Sequence, residues 1–262
     1  MSAVLAKCLQ DIIRKVEKIS AKKVRLVEKR GMNMPVIVKV ARPEVPAHLL
    51  YFDPTHGDIS YHSIAHECVH ILRLFEAEPG KRIVPIATSE MRDKALEMIE
   101  AEIEETAIEL TDDMARKMQD FWYDSIIRQL SNYPVDIRIE QWLYKYYPEL
   151  RPVQSKAIKM QADAAAGSLK DEVQDLTPPM IYEAANVMNY AYLTTLGKFL
   201  ETAIDLPFRA SQFAEEGKKL VAITDDSDRD DHEGDVEMIQ HWADFLGLSD
   251  WFAWMDFESV PA

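Results

Sequence analysis

Residues 61–74 read YHSIAHECVHILRL and place three histidines, His62, His66 and His70, at a four-residue spacing. In an α-helix, residues four positions apart lie on one face, so the three imidazoles form a stripe. The other side of this helix is apolar and carries Ile64, Cys68, Ile71, Leu72 and Phe75. Such a pattern predicts a buried helix. Because unpaired polar groups are costly to bury, the fold must give the stripe partners.

Within the stripe, residues 66–70 spell HExxH, with Glu67 directly after His66. Two imidazoles at positions i and i+4 can both reach one zinc ion, at about 2.0–2.1 Å each. Glu67 can then lie beside the open coordination position and take a proton from the attacking water. His62 lies roughly 12 Å along the helix axis from His70, too far for one ion to bind both. We interpret His62 as a wall or supporting residue of the site, or as an ordinary histidine of the helix face.

The composition limits the partners of the chain. Its 262 residues include 30 basic and 45 acidic ones, for a net charge of −15, whereas nucleic-acid binding requires a basic face. Anionic membrane surfaces are equally poor partners. No apolar run approaches the roughly 18 residues of a membrane span, and the N-terminus has no signal-peptide pattern. The two cysteines, Cys8 and Cys68, are no disulfide framework. We therefore expect an acidic cytoplasmic protein without nucleic-acid or membrane partners. The sequence predicts no particular oligomeric state.

The periodicity of apolar residues predicts an α+β fold, with a small N-terminal sheet packed on the HExxH helix and a mostly helical C-terminal half. A first helix is expected over 3–19, followed by three short strands within 22–29, 34–42 and 47–55. The HExxH helix begins near Ile59, and Pro79-Gly80 breaks the chain after it.

Helices dominate the rest of the chain. A long acidic helix is expected over 90–118, continued or followed by another over 119–130. SNYP at 131–134 is expected to interrupt it, with Pro134 in the first turn of the next helix. Further helices are predicted near 153–175, 179–204, 208–222 and 235–247. An acidic loop is predicted over 225–235, and an aromatic tail that packs on the body is predicted after Leu248.

The stretch ISYHSIAHECVHILRL, after short strands, resembles the HExxH zinc metallopeptidases called zincins. It is most similar to the compact cytoplasmic type typified by the ImmA/IrrE family, in which a short sheet precedes AHExxH. The resemblance covers roughly residues 24–145 and is specific at the motif. It implies that His66 and His70 bind Zn²⁺ and that Glu67 is the catalytic base of a peptidase. The implied organisation is a zincin-like domain over 1–152, with a helical region over 153–262 packed on it as one unit.

The resemblance also implies that the third zinc ligand is a carboxylate from a later helix, as in gluzincins. The longer metzincin signature HExxHxxGxxH is absent, since Glu76 and Ala77 follow where its third histidine would be sought. One candidate region is the acidic helix with Glu100 and Glu104, because the third ligand of the ImmA/IrrE type falls about this far downstream. A face so rich in glutamate is also typical of a solvated helix surface.

The second region is YPVDIRIEQWLYKYYPEL, which offers Glu140 and, four residues earlier, Asp136. Its ionic residues lie among bulky apolar ones, where a buried charge requires a metal or a partner, and Arg138 is expected to pair with a carboxylate. The segment resembles the D-x-R-x-E … yP segment of some bacterial and phage metallopeptidase-like proteins. Glu140 is therefore the predicted third ligand, with Asp136 as an alternative or as a residue that orients a ligand histidine.

The predicted function is a zinc-dependent peptidase that acts on a peptide or protein. The alternatives are a catalytically inactive zincin-like binding or regulatory protein and a zinc hydrolase of non-peptide amides. A sheet edge, such as HLLYFDP at 48–54, is expected to bind an extended peptide by strand addition. Residues 226–237 loosely match a calcium loop, but Asp231 stands where that loop needs glycine, so a solvated acidic loop is predicted.

Overall fold

The structure, a computed structural model, describes residues 3–106, 108 and 112–260, and its fold is α+β as predicted. The helices are α1 (Ala3–Ser20), α2 (Ile59–Glu76), α3 (Ser89–Glu105), α4 (Asp112–Tyr146), α5 (Arg151–Ala165), α6 (Asp171–Asp175), α7 (Pro179–Leu200), α8 (Leu206–Arg209), α9 (Ala214–Asp225) and α10 (His232–Leu246). The strands are β1 (Lys23–Glu28), β2 (Val36–Lys39), β3 (Ala47–Phe52), β4 (Ile83–Ile86) and β5 (Ala253–Asp256). Within the described ranges, no helix combines the length and apolar character needed to cross a membrane.

The three predicted N-terminal strands are confirmed, and they form one sheet in the order β1-β3-β2. β1 runs parallel to β3, and β2 runs antiparallel to it on the other side. β3 is therefore the central strand. The prediction that HLLYFDP is a free edge for an added peptide strand is wrong, because both sides of β3 are already paired, at Leu50 with Leu26 and with Val38.

The apolar side of α2 packs against α1 and the sheet, as its sequence pattern predicts. Ile12 of α1, Leu50 of β3 and Ile71 of α2 are completely buried in this first hydrophobic core. Cys68 lies in the same core, and burial raises the pKa of its thiol to about 12. The thiol therefore stays protonated and packs as an apolar side chain, as the sequence indicated.

α4 corrects the predicted interruption at 131–134, because it runs without a break through Pro134. A proline inside a helix removes one backbone hydrogen bond and costs about 3 kcal/mol. Leu130 and Ile137, on either side of Pro134, are both buried in the second hydrophobic core, and this packing offsets the loss. The predicted helix over 90–118 is divided between α3 and α4, and its residues 107 and 109–111 lie outside the described part.

α4 contributes to both cores. Its buried apolar residues from Trp122 to Ile137 lie in the second, larger core with α3, α5, α7, α9 and α10, whereas Ile139 and Leu143 lie in the first core. The aromatic tail also reaches both, with Trp251 and Phe252 in the larger core and Phe257 in the first. The predicted division at residue 152 stays a prediction.

The tail forms a strand that the sequence pattern did not predict. β5 pairs antiparallel with β4, with Ile83 opposite Asp256 and Ile86 opposite Ala253. The segment after the HExxH helix and the end of the chain therefore form one two-stranded sheet. Neither IVPI of β4 nor AWMD of β5 alternates between apolar and polar residues, and β4 contains Pro85, so the local sequence gives no strand signal.

A buried histidine connects the sheet to α1. His48 of β3 is 0% exposed; its Nδ1 accepts a hydrogen bond from the Ala41 amide at 3.0 Å, and its Nε2 lies 3.0 Å from the Ser20 hydroxyl. The Ser20 hydroxyl itself donates to the Val16 carbonyl. Nδ1 must therefore be the unprotonated nitrogen, and His48 is neutral. Burial lowers the pKa of His48 to about 4.

This neutral histidine predicts acid sensitivity. An unfolded histidine takes up a proton below about pH 6.5, whereas folded His48 does so only near pH 4, so its contribution to stability is complete above pH 6.5. It is lost as the pH falls from 6.5 to 4, by up to about 3 kcal/mol. Urea unfolding of wild type and His48→Gln between pH 7 and pH 4.5 should show a weaker pH dependence for the variant. Parallel curves would contradict the assignment.

Candidate metal centre

The histidine stripe of α2 faces two carboxylates of α4. Asp136 and Glu140 are themselves four residues apart, so they lie on one face of α4. The spacing on one helix therefore matches the spacing on the other. The resulting contacts form two groups of three possible metal-ligand atoms, and the two groups share His66.

The first group converges on one point. His66 Nε2 lies 3.1 Å from Asp136 Oδ1, His70 Nε2 lies 2.9 Å from the same oxygen, and the two nitrogens are 3.1 Å apart. Ligand atoms at about 2.0–2.1 Å from a tetrahedral zinc ion are roughly 3.3 Å from one another. The nearly equilateral triangle therefore has the size that one zinc ion requires.

The second group surrounds Glu140. Its Oε1 lies 2.7 Å from His66 Nδ1, and its Oε2 lies 2.9 Å from His62 Nε2. Gln154 of α5 donates its side-chain amide to the same Oε2 at 2.6 Å and to the Glu140 carbonyl at 2.8 Å. The two histidines thus contact different oxygens of Glu140, so this group does not converge on one atom.

The structure distributes the predicted ligands His66, His70 and Glu140 over both groups. His70 faces Asp136, the alternative carboxylate, while Glu140 contacts the other ring nitrogen of His66. Glu67 is half-buried on α2 beside His66. The other candidate region, with Glu100 and Glu104 on α3, is exposed, and among the described residues it joins neither group.

The protons of His66 determine what the site can bind. Burial would lower the pKa of His66, but Asp136 and Glu140 raise it well above its ordinary value. Burial would likewise raise the pKa of both carboxyl groups, yet the neighbouring histidines hold both below their usual range. With one proton on Nδ1 toward Glu140, Nε2 faces Asp136 and requires a second proton or a cation. A divalent ion there would balance the two carboxylates, so the residues present fit zinc.

Two contacts of this centre escaped the sequence analysis. His62 was given no partner, although the matching i, i+4 spacing of His62/His66 and Asp136/Glu140 is a signal that pairs them. Gln154 gave no signal, since a lone glutamine in an amphipathic helix is usually exposed. In the structure it is 0% exposed.

A buried ionic network ties the two helices of the centre to α10. Asp235, in the first turn of α10, accepts from Arg73 Nε and NH2 at 2.7 and 2.8 Å. Arg138 NH1 lies 3.3 Å from Asp235 Oδ1, which confirms the predicted pairing of Arg138 with a carboxylate. Asp230 also binds Arg73, but its side chain is 70% exposed. The predicted acidic loop is therefore only partly solvated.

Removal of Asp235 should destabilise the protein strongly, because it leaves two buried guanidinium groups without their shared anion. We expect Asp235→Ala to lower the free energy of unfolding by about 3–5 kcal/mol. The matched variant Asp230→Ala removes the exposed carboxylate that contacts Arg73 and should cost about 1 kcal/mol or less. Urea unfolding measures both, and equal losses would show that Asp235 does not hold the helices together.

In comparisons with models of protein families, with curated proteins and with solved structures, the chain matched none.

Proposed function

We propose that this protein is a zinc-dependent hydrolase of peptide bonds, with zinc bound by His66, His70 and Asp136. The observation that carries the proposal is the triangle of donor atoms, whose sides measure 3.1, 2.9 and 3.1 Å. Three protein ligands leave a fourth position open, and that is the ligand count of catalytic zinc sites, whereas structural sites use four. When bound, zinc would supply Lewis acidity toward a water molecule and a substrate carbonyl.

Glu67 is the proposed general base. It follows the first ligand histidine directly in sequence and is only half-buried, so it can exchange protons with a water molecule. In this role Glu67 takes the proton from water as the water attacks the carbonyl carbon, and then gives it to the amine that leaves. Water and the peptide bond are the only reactants, and Glu67 ends in the protonation state in which it began.

Glu140, the carboxylate that the sequence favoured as third ligand, receives a different role in this proposal. Its Oε1 accepts a hydrogen bond from His66 Nδ1 at 2.7 Å, which leaves Nε2 of the same ring directed at Asp136. A ligand histidine that donates its other nitrogen to a carboxylate keeps one tautomer and one ring orientation. Asp136 is thus the proposed ligand, and Glu140 the residue that aligns His66.

Zinc content tests the ligand set. We expect about one zinc ion per chain in the wild type, because three donors converge on one point. Asp136→Ala should lose nearly all zinc during dialysis, whereas Glu100→Ala, an exposed glutamate of α3, should retain it. Glu140→Ala should still bind zinc, but about 10–100-fold more weakly. Elemental analysis and chelator competition measure these values; full zinc retention in Asp136→Ala would overturn the assignment.

Glu67→Gln tests catalysis separately from binding. The substitution keeps the size of the side chain and removes its basicity, so zinc should stay bound while the hydrolysis rate falls by about 10²–10⁴-fold. Wild type and variant should be compared on a mixed peptide library and on small amides. Peptide cleavage that survives in Glu67→Gln would disprove the base. A zinc-loaded wild type that cleaves nothing would favour the inactive binding protein, and cleavage of the amides alone would favour an amidase.

A further inference from the structure

We infer that His62, the histidine of the stripe outside the proposed zinc ligands, is a positioning residue that acts through Glu140. Together with Gln154 it fixes the orientation of the Glu140 carboxylate, and this carboxylate in turn fixes the ring of His66. The inference rests on the proposed function. It extends that function to a chain of contacts from α5 to the metal ligands.

The carboxylate of Glu140 is held at both oxygens. Oε1 accepts a hydrogen bond from His66 Nδ1 at 2.7 Å, while Oε2 accepts hydrogen bonds from His62 Nε2 at 2.9 Å and Gln154 Nε2 at 2.6 Å. Rotation of the carboxylate would break the contact with His66 and both contacts at Oε2 together. His62 and Gln154 therefore determine where the acceptor for His66 lies.

Burial makes this arrangement depend on the side chains alone. His62 is 5% exposed, Glu140 is 2% exposed and Gln154 is 0% exposed, so bulk water has no access to replace a lost donor. A carboxylate with a missing donor at such a site reorients toward the remaining ones, because unsatisfied buried charge is expensive. The expected result is a displaced Glu140 and a His66 ring that is free to turn.

The orphaned nitrogen of His62 supports a role in this contact. Nε2 donates to Glu140, whereas Nδ1 is buried and has no hydrogen-bond partner in the described part of the protein. An apolar side chain at position 62 would avoid the cost of burying this unpaired atom. The contact that justifies a histidine here is therefore the one to Glu140.

The same atoms could be read as a second metal site, since His62 Nε2, His66 Nδ1 and a Glu140 oxygen lie within 4.8 Å of one another. The geometry favours the positioning role of His62 over a second metal site. Each nitrogen contacts its own oxygen of Glu140, and Gln154 places an N–H donor on one of these oxygens. In the first group, by contrast, both nitrogens meet one oxygen of Asp136 and each other.

The experiment compares two substitutions of His62 that differ in one property. Glutamine keeps an N–H donor at a similar distance from the backbone, and leucine removes it. We expect His62→Leu to weaken zinc binding about 10–100-fold, and His62→Gln to stay within about threefold of wild type. Gln154→Leu should change affinity in the same direction as His62→Leu. Zinc affinity is measured by competition with a chromophoric chelator, and the absorption spectrum of the cobalt(II)-substituted protein reports the ligand geometry.

The outcomes separate this inference from the proposed function. Wild-type affinity and an unchanged cobalt spectrum in both leucine variants would overturn the positioning role and leave the zinc site intact. Two ions per wild-type chain, with one in His62→Leu, would also overturn it in favour of the second metal site. A wild type that binds no zinc would remove the proposed function itself. Rescue by His62→Gln guards against a folding defect, because a loss of folding would not depend on the donor.

Discussion

The organising interaction of this protein is the burial of Asp136 and Glu140 against the histidine stripe of α2. Their side chains are 12% and 3% exposed, and the contacts found for both are with histidines and Gln154 rather than with lysine or arginine. Two carboxylates in such surroundings need positive charge, from histidine protons or from a cation. Protons and a metal ion bound at the proposed site would therefore compete for one set of atoms.

The surrounding helices keep these atoms in register. α2 and α4 each contribute one face, α5 supplies Gln154 behind Glu140, and α10 joins Arg73 to Arg138 through Asp235. Arg73 follows His70 by three residues, and Arg138 lies between the two carboxylates in sequence. The ionic network therefore acts on both helices within one turn of the proposed ligands. A shift of either helix by one turn would misalign the donors, since the match depends on equal four-residue spacings.

The sequence predicted the elements whose pattern is local. The three N-terminal strands, the HExxH helix and the helices at α1, α7 and α10 follow from periodicity within each segment, whereas the helix predicted near 208–222 is divided between α8 and α9. The sequence did not predict the elements whose structure depends on contacts with distant residues. Packing in the larger core carries α4 through Pro134, and β4 exists only because β5 returns from the far end of the chain.

The site shows the same division between local and distant information. The stripe and the two carboxylates could be read directly, since each lies within one helix. Which carboxylate meets which nitrogen depends on the crossing of α2 and α4, and one helix turn exchanges Asp136 for Glu140. No single-segment pattern encodes that register. The role of Gln154 depends likewise on the placement of α5.

Residues that complete the structure around α2 are synthesised long after α2 itself. Phe257 completes the core beneath α2, and Asp235 completes the network between α2 and α4, yet both are made after more than 230 residues. A ribosome adds about 5–20 residues per second, so α2 waits for roughly ten seconds or more before its last contacts emerge. During that interval the three histidines lie on a helix that still lacks some of its packing partners. The nascent chain thus has the side chains proposed to bind metal long before it has the structure that aligns them.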